Sequence, residues 1–245
     1  MRQTIDAAAF QQMVIHAAAA IRAEKQRIND LNVFPVPDGD TGTNMSLSIG
    51  AAAAEMKKQS FDTVGKAAQA TASALLRGAR GNSGVILSLL FRGFAKAIKE
   101  RETMDGRDLA IALDFGVAAA YKAVMKPAEG TILTVSRLAA ARAAGAARED
   151  NCFEAVLEAA IQEGQLALAD TVNQNPVLKK AGVVDAGGAG FLLILQGMLN
   201  EVRGEEMPAD EEPAQAEKAD FGAIPAEDIT FAFDTVFIVA SPPPM

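Results

Sequence analysis

Two aspartates, Asp38 and Asp40, stand two residues apart in the string PVPDGDTGTNM. Carboxylate oxygens suit hard divalent cations, and Mg2+ takes one or two from protein and completes its shell with water and phosphate oxygens. Pro35 and Pro37 stiffen the approach to the pair, while Gly39 and Gly42 let the backbone turn tightly and come close to a ligand. Asn32 and Asn44 are further oxygen donors in the same stretch. Thr41, Thr43 and Asn44 open the helix that follows, and the free N–H groups of a helix start favour phosphate. An Asp-Gly turn with a helix cap competes as a reading of DGD alone. Two prolines, two glycines and TGTN around it favour the ligand site. A calcium loop counted from Asp38 would place Ile49 at its twelfth position, where a bidentate Glu is required, and is excluded.

A second stretch, GARGNSG, precedes an apolar helical segment. Gly81, Asn82, Ser83 and Gly84 can offer backbone N–H groups and a hydroxyl to phosphate oxygens, with Arg77 and Arg80 supplying charge nearby. The Gly-Lys-Ser/Thr ending of a P-loop is missing. A third stretch, VVDAGGAG, holds Asp185 and Gly187; Asp185 reads equally as a contact to a nucleotide ribose or as the cap of the last long helix. KPAEGTILTV adds Thr131 and Thr134, with an ordinary helix start as the competing reading. One His and one Cys leave little material for a His-based triad, a thiolate metal cluster or an internal disulfide. His16 reads as a packed or surface residue and Cys152 as a helix-start core residue.

The elements that must position these loops are helical. Phe10, Met13, Val14, Ala17 and Ile21 share one helix face, as do Phe153, Val156, Leu157, Ala160 and Ile161. Eight helices are expected, over 5–28, 42–57, 60–76, 83–100, 106–125, 131–146, 150–173 and 188–203. Their short connections imply antiparallel neighbours, so the fold class is all-α, a barrel or bundle of eight antiparallel amphipathic helices. In such an array the second, fourth and eighth helices begin at one end, and the three loops before them converge on one rim.

Half of the residues are hydrophobic, yet only 5% are aromatic and Trp is absent, so Ala, Leu, Ile and Val fill the core. No apolar run reaches the roughly 18 residues of a membrane span, the first residues lack a signal-peptide pattern, and a cytoplasmic protein is expected. Of the net charge of −8, residues 204–220 hold seven acids and one base. Residues 221–245 hold three acids and no base, which leaves residues 1–203 at +1. No basic face for nucleic acid is present. Three segments are expected: a helical domain over 1–203, an acidic linker over 204–228, and over 229–245 the start of a second domain, whose first strand is ITFAFDTVFIV (229–239).

In order along the chain, LNVFPVPDGDTGTNM, LLRGARGNSGVILSLLFRGF, AYKAVMKPAEGTILTVSR and LKKAGVVDAGGAGF resemble the ATP-binding domain shared by dihydroxyacetone kinases and bacterial fatty-acid kinases, the latter more closely. The resemblance implies an eight-helix barrel with ATP at one rim and two Mg2+ ions. By motif match Asp38 and Asp40 carry the metal and hence the catalytic role, and Asn32 stands where dihydroxyacetone kinases place a third Asp. Thr41, Thr43, Asn44, Gly81, Asn82, Ser83 and Gly84 would take phosphates; Thr131, Asp185 and Gly187 would line the nucleotide. The implied partner is a protein that carries a fatty acid, with an acyl phosphate as product and homodimerisation left open. A dihydroxyacetone kinase subunit and a non-catalytic nucleotide-sensing module are the alternatives.

Overall fold

A computed structural model of the chain describes residues 1–209. Eight long helices carry the fold: α1 (Ala7–Ala23), α3 (Thr41–Met56), α4 (Val64–Gly78), α5 (Gly81–Ala97), α6 (Gly106–Ala123), α7 (Ile132–Glu149), α8 (Phe153–Gln174) and α10 (Ala186–Arg203). Two short helices, α2 (Lys25–Asp30) and α9 (Pro176–Ala181), lie between them. Each long helix packs on the next, and α10 packs on α1, which closes the ring. The expected all-helical barrel is therefore the fold. Among the described residues the extended pairing is confined to one isolated bridge, Ile5 with Met104. The strand expected over 229–239 and the linker beyond residue 209 lie outside the described residues.

Two corrections concern the elements. The first helix, expected to run to residue 28, stops at Ala23 and restarts as α2, because Glu24 leaves helical geometry at φ −103°, ψ 8°. Helix α9 had not been expected, although Asn175 caps it, Pro176 opens it and Gly182 closes it in the left-handed region. Both short helices sit at the end where α3, α5, α7 and α10 begin.

The opposite end is tied shut. Asp6, Thr63 and Asp105 cap α1, α4 and α6 with their own side chains, at 2.8, 3.2 and 2.9 Å. The backbone of Arg2 and Gln3 receives the N–H groups of Glu154 and Phe153 at the start of α8. Glu154 then accepts from the Arg2 N–H at 2.9 Å and from Arg203 Nε at 3.2 Å, which joins the N-terminal segment, α8 and α10.

Inside the barrel, Phe10 stacks on Phe94 with ring centroids 6.1 Å apart. Phe91, Phe153, Leu157, Phe191 and Met198 complete an apolar centre whose remaining void is about 30 Å3, room for about one water molecule in an almost wholly apolar lining. The interior is thus packed core, not a ligand chamber. Helices α5 and α6 touch backbone to backbone: a Cβ on Gly93 would collide with the main chain of Phe115, and one on Gly116 would lie 2.6 Å from the Leu90 carbonyl oxygen.

Replacing Gly93 with Ala must push α5 and α6 apart. The expected loss is about 1–3 kcal/mol of unfolding free energy, read by urea denaturation. A loss below about 0.5 kcal/mol would mean that the two helices separate freely.

Candidate active site at the barrel rim

The loop before α3 folds around Asn32. Its side chain is 6% exposed, and both ends of the amide are engaged. Asn32 Nδ2 donates to Asp38 Oδ1 at 2.6 Å and to the Val36 carbonyl at 3.1 Å, while Asn32 Oδ1 accepts from the Thr41 hydroxyl at 2.6 Å. Asp38 is exposed, with one carboxylate oxygen held by Asn32. Asp40 occupies the N-cap position of α3 yet makes no capping hydrogen bond. That is unusual restraint for an Asp at a helix start, where capping typically contributes about 1 kcal/mol, and it leaves the carboxylate free for another partner.

Helix α2 holds the first turn of α3 from behind. The Lys25 carbonyl lies so close to Gly42 that no Cβ fits between them. Asn29 grips Thr43 twice, accepting its N–H and donating to its hydroxyl, each at 3.0 Å. On its other side α2 buries Ile28 against Ala186 and Ala189 of α10. This short helix therefore connects the acidic loop to the glycine loop before α10.

The GARGNSG loop reaches the same place. Arg80 donates its N–H to Ser48 Oγ of α3 at 3.1 Å, and that hydroxyl donates to the Asn44 carbonyl at 2.7 Å. Gly81 adopts φ +56°, a left-handed geometry that favours glycine, with the Asn44 side-chain amide against its Cα. Helix α5 starts without a side-chain cap. Among the described residues the N–H groups of Gly81, Asn82 and Ser83 have no partner, and neither do those of Thr41 and Gly42. Of the eight long helices α5 alone has its first turn wholly open. Gly81 and Asn82 are exposed and Ser83 half-buried, beside the exposed Arg77 and Arg80. Open N–H groups at a helix start, with cationic side chains beside them, suit an anion.

Thr131, Asp185 and Gly187 come together one step further round the rim. Asp185 caps α10 through the Gly188 N–H at 2.7 Å, receives the Ile132 N–H of α7, and is 5% exposed. Of its two readings, the structure shows the cap. Burial pushes its carboxyl up to about 6, against the pull of the Gly188 and Ile132 N–H groups. Thr131 caps α7 through the Leu133 N–H at 3.3 Å and gives its proton to the Ala128 carbonyl at 2.7 Å. The Thr134 hydroxyl donates to Glu129 at 2.8 Å. Both hydroxyls are thus spent within their own loop. The sequence reading missed Asn29 and Ser48. Ser48 lies one helical turn after Asn44, whereas Asn29 meets a residue 14 positions away and has no local signal.

Of the two readings of His16, packed or at the surface, the structure shows the packed one, and Cys152 is the expected helix-start core residue. His16 is fully buried with Nδ1 3.2 Å from Glu201, and Cys152 is buried at the start of α8.

The model of the DAK2 domain matches residues 35–200. The chain belongs to the DAK2 domain family. It is 42% identical to protein YloV of Bacillus subtilis over 97% of its own length and 44% of that protein's. An uncharacterized protein of Staphylococcus saprophyticus is 41% identical over 98% and 44%. The chain thus spans under half the length of these curated relatives. Its fold is that of part of the dihydroxyacetone kinase of C. freundii, at a TM-score of 0.61 and 19% identity over 82% of this chain and 35% of that one. The structure of that kinase with AMP-PNP and Mg2+ superimposes with a TM-score of 0.62. No described helix is long and apolar enough to cross a membrane.

Asp185 gives the DAK2 domain a pH signature. Its folded pKa of about 6 exceeds the ordinary 3.8. The proton therefore binds more tightly to the folded chain, and the contribution to stability is full below pH about 4 and lost as pH rises to about 6. The rise in pKa corresponds to up to about 3 kcal/mol. Asp185→Asn keeps an oxygen for the Gly188 N–H but does not titrate. Unfolding free energies measured between pH 4 and 7 should show the wild type losing stability relative to the variant as pH rises; parallel profiles would contradict the shift.

Proposed function

We propose that this domain binds ATP with Mg2+ at the rim formed by the first turns of α3 and α5, and transfers the γ-phosphoryl group to an acceptor carried by a partner protein. The observation that carries this reading is the wholly open first turn of α5, next to a loop that presents Asp38 and an uncapped Asp40. Phosphate suits the open N–H groups, and a hard cation suits the carboxylates. Among the described residues no three acidic, His or Cys side chains converge on a metal position. Two carboxylates completed by phosphate and water are the donor set Mg2+ favours. Asp38 and Asp40 would hold the ion, which supplies charge neutralisation at the phosphates. A contribution from Asn32 Oδ1 would use its second lone pair, because the Thr41 hydroxyl already occupies the first. Two Mg2+ ions would bind here, as the family resemblance implies.

The chain's own residues do the positioning. The N–H groups of Gly81, Asn82 and Ser83, with those of Thr41 and Gly42, would fix the phosphate chain. Arg80 adds charge at its edge, and Asn44 would bridge the two loops. Buried Asp185 and Thr131, with the half-buried Gly187, would align α7 and α10 where they meet this rim. An acceptor oxygen then forms a bond to the γ-phosphorus as the bond to the β–γ bridging oxygen breaks, and ADP leaves with the electron pair. No side chain needs to become phosphorylated.

Two features favour an acceptor brought from outside. The barrel interior is filled, and the rim is exposed at Asp38 and Asn82. The motif strings favour a fatty acid as that acceptor, with an acyl phosphate as product. A dihydroxyacetone-type acceptor would be distinguished by phosphorylation of the free hydroxy-ketone.

Mg2+–ATP at about 100 times its dissociation constant should stabilise the chain by about 2.7 kcal/mol. The thermal shift should require Mg2+, and Asp38→Ala and Asp40→Ala should each abolish it while leaving the unliganded melting temperature close to wild type. No shift in the wild type would remove the proposal, and a full shift in both variants would remove the metal assignment.

A further inference from the structure

The motif TGTN offers two threonine hydroxyls to a ligand, and a residue on α2 decides between them. Asn29 Oδ1 accepts the Thr43 N–H and Asn29 Nδ2 donates to Thr43 Oγ1, both at 3.0 Å. The two ends of an amide are alike in shape, but a backbone N–H can only donate. The atom facing it must therefore be the oxygen, and the atom facing the hydroxyl must be the NH2 group. Asn29 thus occupies a lone pair of Thr43 Oγ1 and leaves its proton unclaimed; among the described residues that hydroxyl donates to nothing. Thr41 is the reverse case, because its proton is given to Asn32 Oδ1 at 2.6 Å and its side chain is buried. Thr43 is half-buried on the open turn of α3, and the Lys25 carbonyl against Gly42 keeps α2 pressed behind it.

We infer that Asn29 is a positioning residue that sets the Thr43 hydroxyl as a donor to a phosphate oxygen, so that Thr43 and not Thr41 recognises the nucleotide through its side chain. The inference rests on the reading of this rim as a nucleotide site. Asn29→Asp keeps an oxygen for the Thr43 N–H but sets a second oxygen against Oγ1, which captures the hydroxyl proton. Thr43→Val removes the hydroxyl at nearly constant shape, and Thr43→Ser retains it.

Calorimetric titration of the 245-residue chain with Mg2+–ATP tests this. Asn29→Asp and Thr43→Val should each weaken binding about tenfold or more, the size of a lost hydrogen bond to a charged group. Thr43→Ser should stay within about threefold of wild type. In the Thr43→Val background Asn29→Asp should cost no more than about a further twofold, because both changes remove one donor. An undiminished effect of Asn29→Asp in that background would assign the loss to the added charge and overturn the inference. So would a Thr43→Ser variant as weak as Thr43→Val, a comparison that stands even if Asn29→Asp fails to fold. Wild-type binding with silent Asn29→Asp and Thr43→Val variants overturns the inference alone. A wild type that binds no Mg2+–ATP overturns it together with the nucleotide reading.

Discussion

Helix α3 is pinned at its first turn, and the rim is built around that pin. The Lys25 carbonyl fills the space beside Gly42, Asn29 holds the N–H and the hydroxyl of Thr43, and Ile28 on the same short helix is buried against α10. With the start of α3 fixed from behind, the loop of residues 31–40 has to arch over Asn32, which ties down Asp38 and Thr41 together. Asp38 is thereby fixed through one oxygen with the other left over, and Asp40 sits at a helix start it does not cap. The arrangement stabilises the backbone with asparagines and threonines and keeps the carboxylates out of that task.

The two ends of the barrel differ in how their helix starts are satisfied. At the far end, side chains and the N-terminal backbone cap α1, α4, α6 and α8. At the rim, α7 and α10 share the buried Asp185, while α5 is left open. Helix starts that lack internal partners need water or a ligand, and the glycines and small polar residues of GARGNSG keep that turn accessible. Because the interior is filled by Phe10, Phe94, Phe153 and their neighbours, the barrel centre offers no room for a ligand.

The long helices were legible because their apolar residues repeat at helical spacing, and the convergence of the loops follows from alternation of direction in an up-and-down array. The break at Glu24 was not legible, since neither Gly nor Pro marks it and the apolar pattern runs through to Ile28. Helix α9 carries its signals openly, in Asn175, Pro176 and Gly182. Residue types pointed to loops that do meet at one rim, but not to the partner of each hydroxyl. Thr131 and Thr134 turn to their own loop, Thr41 to Asn32, and only the three-dimensional contact with Asn29 singles out Thr43. Hydrogen-bond direction depends on which neighbour arrives across the fold, and spacing does not record it.

A crystal structure of the chain with Mg2+ and a non-hydrolysable ATP analogue tests the central claim most directly. The claim requires metal density about 2.1 Å from carboxylate oxygens of Asp38 and Asp40, with phosphate oxygens on the N–H groups of Gly81, Asn82 and Ser83. A nucleotide bound elsewhere, or phosphates held without contact to the open turn of α5, would contradict it.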